Sequence, residues 1–258
     1  MGSCLHVSWF YNETEARPKL FCVVMNTEIL LISRFNLPIT FAKEKQGRDK
    51  MGNPPLGLIW LNRRREYFLR ITKVSVLEQR MSAFKWYVLF HPETDRRFVD
   101  SLGHGFIPIF GTDMRDCLDQ IRRSMQLKYG STEQIFVSLR LDTDDAIGQR
   151  YLQMIDSFFH QTLFRVHDTD RIALIYRKGV FHNIQTNEVK EKDYPNNPFS
   201  ALGELVPASE IKSIYCVDHS KVSQTFTTFS MESKDFQGTW RISVHETNVG
   251  NVMPTEKV

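Results

Sequence analysis

Ile135-Phe-Val-Ser-Leu-Arg-Leu-Asp-Thr-Asp-Asp-Ala-Ile147 is an apolar, strand-like run that breaks into three carboxylates within four positions, Asp142, Asp144 and Asp145. Side chains alternate along a strand, so Ile135, Val137, Leu139 and Leu141 share one face while Ser138, Arg140 and Asp142 share the other. Carboxylates crowded in this way repel one another unless a positive charge lies among them. A set of oxygen ligands of that kind suits a hard divalent cation, Mg2+ or Mn2+. The plainer reading pairs Arg140 with Asp142 and leaves Thr143 and Asp144 to cap a helix that the pattern predicts over Ala146 to Phe159. A cap needs one acceptor, however, and leaves the mutual repulsion of the others unrelieved.

Outward from this stretch, strand and helix patterns alternate. Short buried strands are predicted at Glu28 to Ser33, Phe84 to Phe90 and Phe106 to Phe110, with the fourth at Ile135 to Leu141. Between them, Leu58 to Gln79 carries Trp60, Tyr67, Phe68, Ile71, Val74 and Leu77 at helical spacing. Asp113 stands where it can cap a helix running to Tyr129. Such alternation implies an α/β fold with a mostly parallel central sheet flanked by helices, and function at the carboxyl ends of its strands. Beyond Arg171 the texture changes to strands and turns, at Ile172 to Arg177, Gly179 to Ile184, Ile211 to Val217 and Thr239 to His245. These predict a smaller mixed C-terminal portion that completes a cleft. Residues 1–24 read as an N-terminal appendage, residues 25–258 as one domain, and the polar stretch from Lys43 to Pro55 as a loop.

Composition narrows the classes. With 41% hydrophobic and 24% charged residues and a net charge of +3, the chain has an ordinary globular balance. Arg63, Arg64 and Arg65 form the densest basic run, without the interleaved aromatic platform of a nucleic-acid site, and read as a solvated helix face. Cys4, Cys22, Cys117 and Cys216 lack C-x-x-C spacing, which argues against zinc and against a disulfide framework and fits a reducing, cytoplasmic compartment. The apolar stretch from Leu20 to Ile32 is broken by Asn26-Thr27-Glu28 and is too polar to span a membrane. Peripheral attachment to the inner face of a membrane is compatible with all of this.

Three further places offer chemistry. Ser33-Arg34-Phe35-Asn36 follows the first strand, where a nucleotide site needs polar groups, against a reading of Arg34 as a plain surface charge. In Gly238-Thr-Trp-Arg-Ile-Ser-Val-His-Glu-Thr-Asn-Val-Gly-Asn251, alternation buries Trp240, Ile242 and Val244 and sets Arg241, Ser243 and His245 on the polar face. A histidine ending a strand is more often a satisfied polar residue than a ligand, and His219 carries the same ambiguity. Glu204, after the apolar turn Asn196-Asn-Pro-Phe-Ser-Ala-Leu-Gly, is a general base or a helix-start acid.

Taken together, Ser33-Arg-Phe-Asn36, Trp60-Leu-Asn-Arg63, Gln79 with Phe84-Lys-Trp86, Arg140-Leu-Asp-Thr-Asp-Asp145, Asn197-Pro-Phe199 and Trp240 through Asn251 resemble the putative rhamnosyltransferase family. Leu141-Asp-Thr-Asp-Asp145 by itself is similar to the DxD element of GT-A glycosyltransferases. The resemblance implies a GT-A-like fold, a nucleotide-diphosphate sugar donor held through a divalent metal (Mn2+ or Mg2+), and transfer of a sugar such as rhamnose to a glycan acceptor. It casts Asp142, Asp144 and His245 as metal ligands and Arg34, Asn36, Arg140 and Asp142 as donor-binding residues. Glu204 and Asp145 are then the catalytic carboxylates, with Glu204 as base. The chain departs from the pattern where many such enzymes carry an acidic pair after the second strand, since His91-Pro-Glu-Thr94 stands there. A sugar nucleotidyltransferase is disfavoured because Ser33-Arg-Phe-Asn-Leu-Pro38 lacks the glycines of a triphosphate cradle. A non-catalytic binding module of the same fold is the remaining alternative.

Overall fold

The structure is a computed structural model that describes residues 8–9, 20–21, 27–37, 51–162, 171–232, 238–246, 248 and 251–254. Near the start, β1 (Ser8–Trp9) pairs with β2 (Leu20–Phe21), antiparallel and apart from the other sheets. Most of the expected appendage and most of the Lys43 to Pro55 loop lie outside the described residues.

The central strand is β3 (Thr27–Arg34), whose Ile29 to Ser33 are buried without interruption. An unbroken apolar run of this kind is what a parallel strand covered on both faces requires. β3 pairs in parallel with β4 (Phe84–Phe90) on one side and β6 (Glu133–Arg140) on the other, and β4 pairs in parallel with β5 (Ile107–Phe110). Ile29, Leu31, Trp86, Val88, Val137 and Leu139 point to one face, against α1 (Leu58–Tyr67) and α5 (Tyr151–Thr162). Leu30, Ile32, Tyr87, Leu89 and Phe136 point to the other, against Cys117, Ile121 and Met125 of α4 (Met114–Tyr129), whose start is capped by Asp113. The expected alternation along β6 is thus the one that forms.

After α1 the helix widens into a π-type turn, Phe68–Thr72, before α2 (Lys73–Leu77). Its far end braces the exit of the acidic stretch, because Gln79 donates to the Gly148 carbonyl (2.8 Å) and accepts from the Leu152 amide (3.1 Å). The short α3 (Arg96–Asp100) follows β4, capped by Asp95.

Downstream the mixed C-terminal portion divides its strands between two sheets. β8 (Arg171–Tyr176), β11 (Ala201–Pro207) and β12 (Thr227–Met231) extend the main sheet to seven strands, in the order β12-β8-β11-β6-β3-β4-β5. Only β11 runs against its neighbours. Part of the C-terminal portion therefore completes the first sheet. What remains, β9 (Lys178–Asn183), β10 (Val189–Asp193) and β13 (Trp240–Val244), joins β7 (Ala146–Ile147) from the acidic stretch in a second, four-stranded sheet of order β10-β9-β13-β7. Trp240 anchors it, stacked on Phe199 at 5.4 Å. Gly179 admits that indole, since a Cβ there would lie 2.2 Å from the ring.

Two local readings change. The helix predicted from Ala146 begins at Tyr151, because Ala146 and Ile147 pair with Arg241 and Trp240 as strand. Ile211 to Val217, expected as a strand, holds a turn of 3-10 helix at Ile214–Cys216, followed by another at His219–Lys221 and the single-turn α6 (Val222–Thr225).

Candidate active site

β3 and β6 end side by side, and the acidic stretch is bolted across their carboxyl ends. The Leu141 amide donates to the Ile32 carbonyl (3.1 Å), the Thr143 hydroxyl to the Arg34 carbonyl (3.3 Å), and the Asp145 amide to the Asp142 carbonyl (3.1 Å). β7 then carries the chain into the second sheet, beside β13. Fixed at both ends, the turn sends its carboxylates in different directions.

Asp142 faces a cavity of about 1260 Å3. Arg34 and Arg140 share its wall, with the start of α4, the segment from Lys212 to His219, and Phe181, Tyr194 and Phe199 on the side of the second sheet. Six lysines and arginines line it against four aspartates, so the wall favours an anion. Three of those aspartates are engaged: Asp113 caps α4, Asp119 pairs with Arg122, and Asp218 accepts from Ser220. The Asp142 carboxylate and the Arg34 guanidinium make no bond to a described residue. Arg140 holds the cavity wall, donating to the Ile214 and Val217 carbonyls with its guanidinium 4.7 Å from the centre of the Tyr215 ring. Its buried Nε has no partner. Burial also pulls the His219 imidazole below its ordinary pKa of 6.5, which favours the neutral ring.

Asp144 points inward and is 4% exposed. A single carboxylate oxygen, Oδ2, meets His245 Nε2 at 3.1 Å, Asn248 Nδ2 at 3.0 Å and the guanidinium of Arg64. Tyr67 stacks on the His245 ring at 3.9 Å, and its hydroxyl donates to Glu246. Burial alone would lift the Asp144 carboxyl, but Arg64 and the His245 contact outweigh it and hold the group at about 2. Asp145 is also buried, accepting from the Ser243 amide at 2.8 Å. There burial dominates, Asp144 and Asp142 add repulsion, and the carboxyl is pushed well above 3.8.

Of the residues expected to bind a donor, Arg34, Arg140 and Asp142 share the cavity wall. Asn36 is placed elsewhere: it is buried, donating to the Thr94 hydroxyl (2.9 Å) and accepting from the His91 amide (3.0 Å), a clamp between two loops. Neither expected catalytic carboxylate lines the cavity. Asp145 is sealed against β13, and Glu204 lies within β11, fully buried, taking the Lys212 and Ser213 amides and Arg171. The turn before Glu204 leads into a strand and not a helix, and the carboxylate is spent on the Lys212 and Ser213 amides behind the cavity lining. Of the expected metal set, Asp144 and His245 meet, while Asp142 is not in contact with them. Among the described residues no group of three or more His, Cys, Asp or Glu side chains is arranged to hold a metal. Arg64 occupies the cation's side of Asp144, so the residues as arranged do not fit a divalent ion. Arg64, expected on a solvated face, is the residue the sequence reading missed. Its signal was present, because Trp60 lies one helical turn before it and Tyr67 three residues after, on the same stripe.

A mostly parallel seven-stranded sheet flanked by helices, with an acidic turn across its central strand ends, puts the protein in the class of α/β folds that carry function at the carboxyl ends of their strands. Within that class the chain belongs to the family described as Putative rhamnosyl transferase, which matches residues 28–256. No curated protein matches it. Among solved structures it is similar to S. aureus TarS 1-349 in complex with UDP-GlcNAc, with 10% identity and a TM-score of 0.44 over 87% of this chain and 60% of that one. It is also similar to a putative nucleotide-diphospho-sugar transferase from Desulfovibrio desulfuricans G20, with 11% identity and a TM-score of 0.38 over 86% and 82%. The chain thus spans about 60% of the TarS chain, and at these scores the likeness reaches no individual residue.

Proposed function

We propose that the protein transfers a sugar, rhamnose, from a nucleoside diphosphate donor to a hydroxyl of a glycan. The observation that carries this reading is the cavity at the ends of β3 and β6, where a guanidinium and a carboxylate that bond to no described residue stand on one basic wall. Arg34 meets the diphosphate, whose charge grows as the bond to the anomeric carbon breaks, and a fixed cation there lowers that barrier. Arg140 keeps the wall in place and adds its positive charge to the field felt by the same anion. Asp142 accepts hydrogen bonds from donor hydroxyls, which orients the sugar before reaction. Phe181, Tyr194 and Phe199 give the far wall the apolar faces on which a sugar ring packs.

In the same reading the enzyme works in the cytoplasm, against the inner face of a membrane that carries its acceptor. Exposed Met51, Leu56, Leu58 and Ile59 around the start of α1 support the attachment, and no helix among the described residues is long and apolar enough to cross a membrane.

The decisive experiment incubates the purified protein with nucleoside diphosphate sugars, rhamnose donors among them, and follows release of the nucleoside diphosphate with and without candidate acceptors. Release that depends on a rhamnose donor and disappears in Arg34→Ala is the expected result. A chain that neither binds nor cleaves any donor is a binding module, and the proposal fails.

A further inference from the structure

The DxD-like turn brings its third residue against an arginine. Arg64 contacts the Asp144 oxygen that also meets His245 and Asn248. Its guanidinium stands 5.1 Å from the centre of the Trp60 ring. A planar cation between a carboxylate and an aromatic face is fixed on two sides, the environment that suits arginine and not a stray surface charge. Its side chain is only 18% exposed.

A divalent cation at the same place would need about six oxygen-rich ligands and the negative charge to match. The groups around Asp144 are an imidazole, an amide and a guanidinium. Asp145 cannot join, because Ser243 holds it, and Asp142 stands on the cavity wall. The positive charge that three crowded carboxylates call for is therefore already present within the chain.

We infer that Arg64 is the resident cation of this centre and that the protein binds its nucleotide donor without a divalent metal. Arg64 compensates Asp144 and, through His245 and Asn248, ties α1 to the end of β13. The diphosphate is left to Arg34, with the charge of Arg140 in the wall behind it. The second half of this statement rests on the donor reading of the cavity; the first half does not.

Two measurements separate them. Mn2+ is titrated into the protein and free Mn2+ followed by electron paramagnetic resonance, for wild type and Arg64→Gln. Wild type should leave Mn2+ free, whereas Arg64→Gln, in which the Asp144 carboxylate, His245 and water can form a weak site, should take up a measurable fraction of it. Stoichiometric uptake by wild type, or a folded Arg64→Gln that takes up none, overturns the role of Arg64. Binding of nucleoside diphosphates to wild type is then measured by calorimetry in EDTA and in Mn2+. Affinities that agree within about tenfold are expected, and a larger loss in EDTA overturns metal independence. If no nucleotide binds in either condition, metal-independent donor binding falls together with the donor reading, and the Mn2+ titration still judges Arg64. The wild-type arms need no variant, so an Arg64→Gln chain that fails to fold leaves them decisive.

Discussion

Asp142 and Asp144 stand two residues apart on one turn, yet they face different media. Asp142 opens on a basic cavity and its carboxylate bonds to no described residue, while Asp144 is buried and takes three contacts on one oxygen. The difference comes from what is packed behind each. Behind Asp142 lie the strand ends and open volume. Behind Asp144 lie α1 and the end of β13, bringing Arg64, His245 and Asn248 from positions as far as 104 residues away in the chain. Charge density along a sequence is therefore a poor guide to charge density in space. A carboxylate that needs a cation finds the nearest one, and here that cation is covalently part of the molecule.

The largest effect should come from breaking the inner region. Asp144→Ala strips Arg64 of its counter-charge while leaving it mostly buried, a change that costs about 3–5 kcal/mol. For a domain of this size that amounts to roughly 10 °C in Tm. Denaturant and thermal unfolding of the variant measure it, and a loss below about 1 kcal/mol would mean that the inner cluster is no more structural than the cavity wall.

Arg34→Ala probes the outer region, and its effect belongs in binding and not in folding. Losing a charge-assisted contact to a diphosphate should weaken donor binding by about 1.5–3 kcal/mol, roughly 10- to 100-fold in Kd. Stability should stay within about 0.5 kcal/mol of wild type, because the side chain holds no described partner. Calorimetry with a nucleoside diphosphate, paired with a melting curve, reads both. A variant that unfolds early but binds normally would reverse the assignment of the two regions.

How much of this was legible depends on whether a residue's partners are local. β3, β4 and β6 could be read because each is an apolar run buried on both faces, and α4 because its cap and its repeat lie within one helix. β11 was hidden by Gly203 and Glu204 in its middle. The glycine is there because a Cβ would come within 2.3 Å of Phe159, and the glutamate is tolerated because Arg171 and two loop amides satisfy it. Neither reason is visible without the partner. β7 looked like a helix start for the same cause, its strand character being supplied by Trp240 and Arg241. At the candidate site, Arg34 and Asp142 could be placed from their positions at strand ends, whereas the donor role of Arg140 came only from the family resemblance. Arg64 was read by its neighbours Arg63 and Arg65, when its helical neighbours Trp60 and Tyr67 decide where it points.

Asp142→Asn sharpens the contrast at a smaller scale. The substitution keeps the shape and removes the charge, so a hydrogen bond from a donor hydroxyl should weaken by about 1 kcal/mol, near fivefold in Kd. The fold should not register the change. Binding that weakens for the intact sugar nucleotide and not for the free nucleoside diphosphate would place the contact on the sugar. Equal weakening of both would move it to the nucleotide.

The finest division is between Asp144 and Asp145, adjacent in sequence and both buried. Carbon-13 labelling of aspartate carboxyls, with chemical shifts followed against pH, should find them on opposite sides of the ordinary value of 3.8. Asp144, held at about 2 by Arg64 and His245 against the cost of burial, contributes stability that is present above 3.8 and is lost as pH falls through about 2. Asp145 carries the reverse sign. Burial and its two acidic neighbours favour its neutral form, so its contribution is present below 3.8 and is lost as pH rises through its elevated pKa. Asp145→Asn should accordingly flatten the decline on the alkaline side of that midpoint and leave the acid limb, which belongs to Asp144, unchanged. Titration of both carboxyls together near 3.8 would show that they share one solvated environment, and the separation of inner from outer carboxylates would not hold.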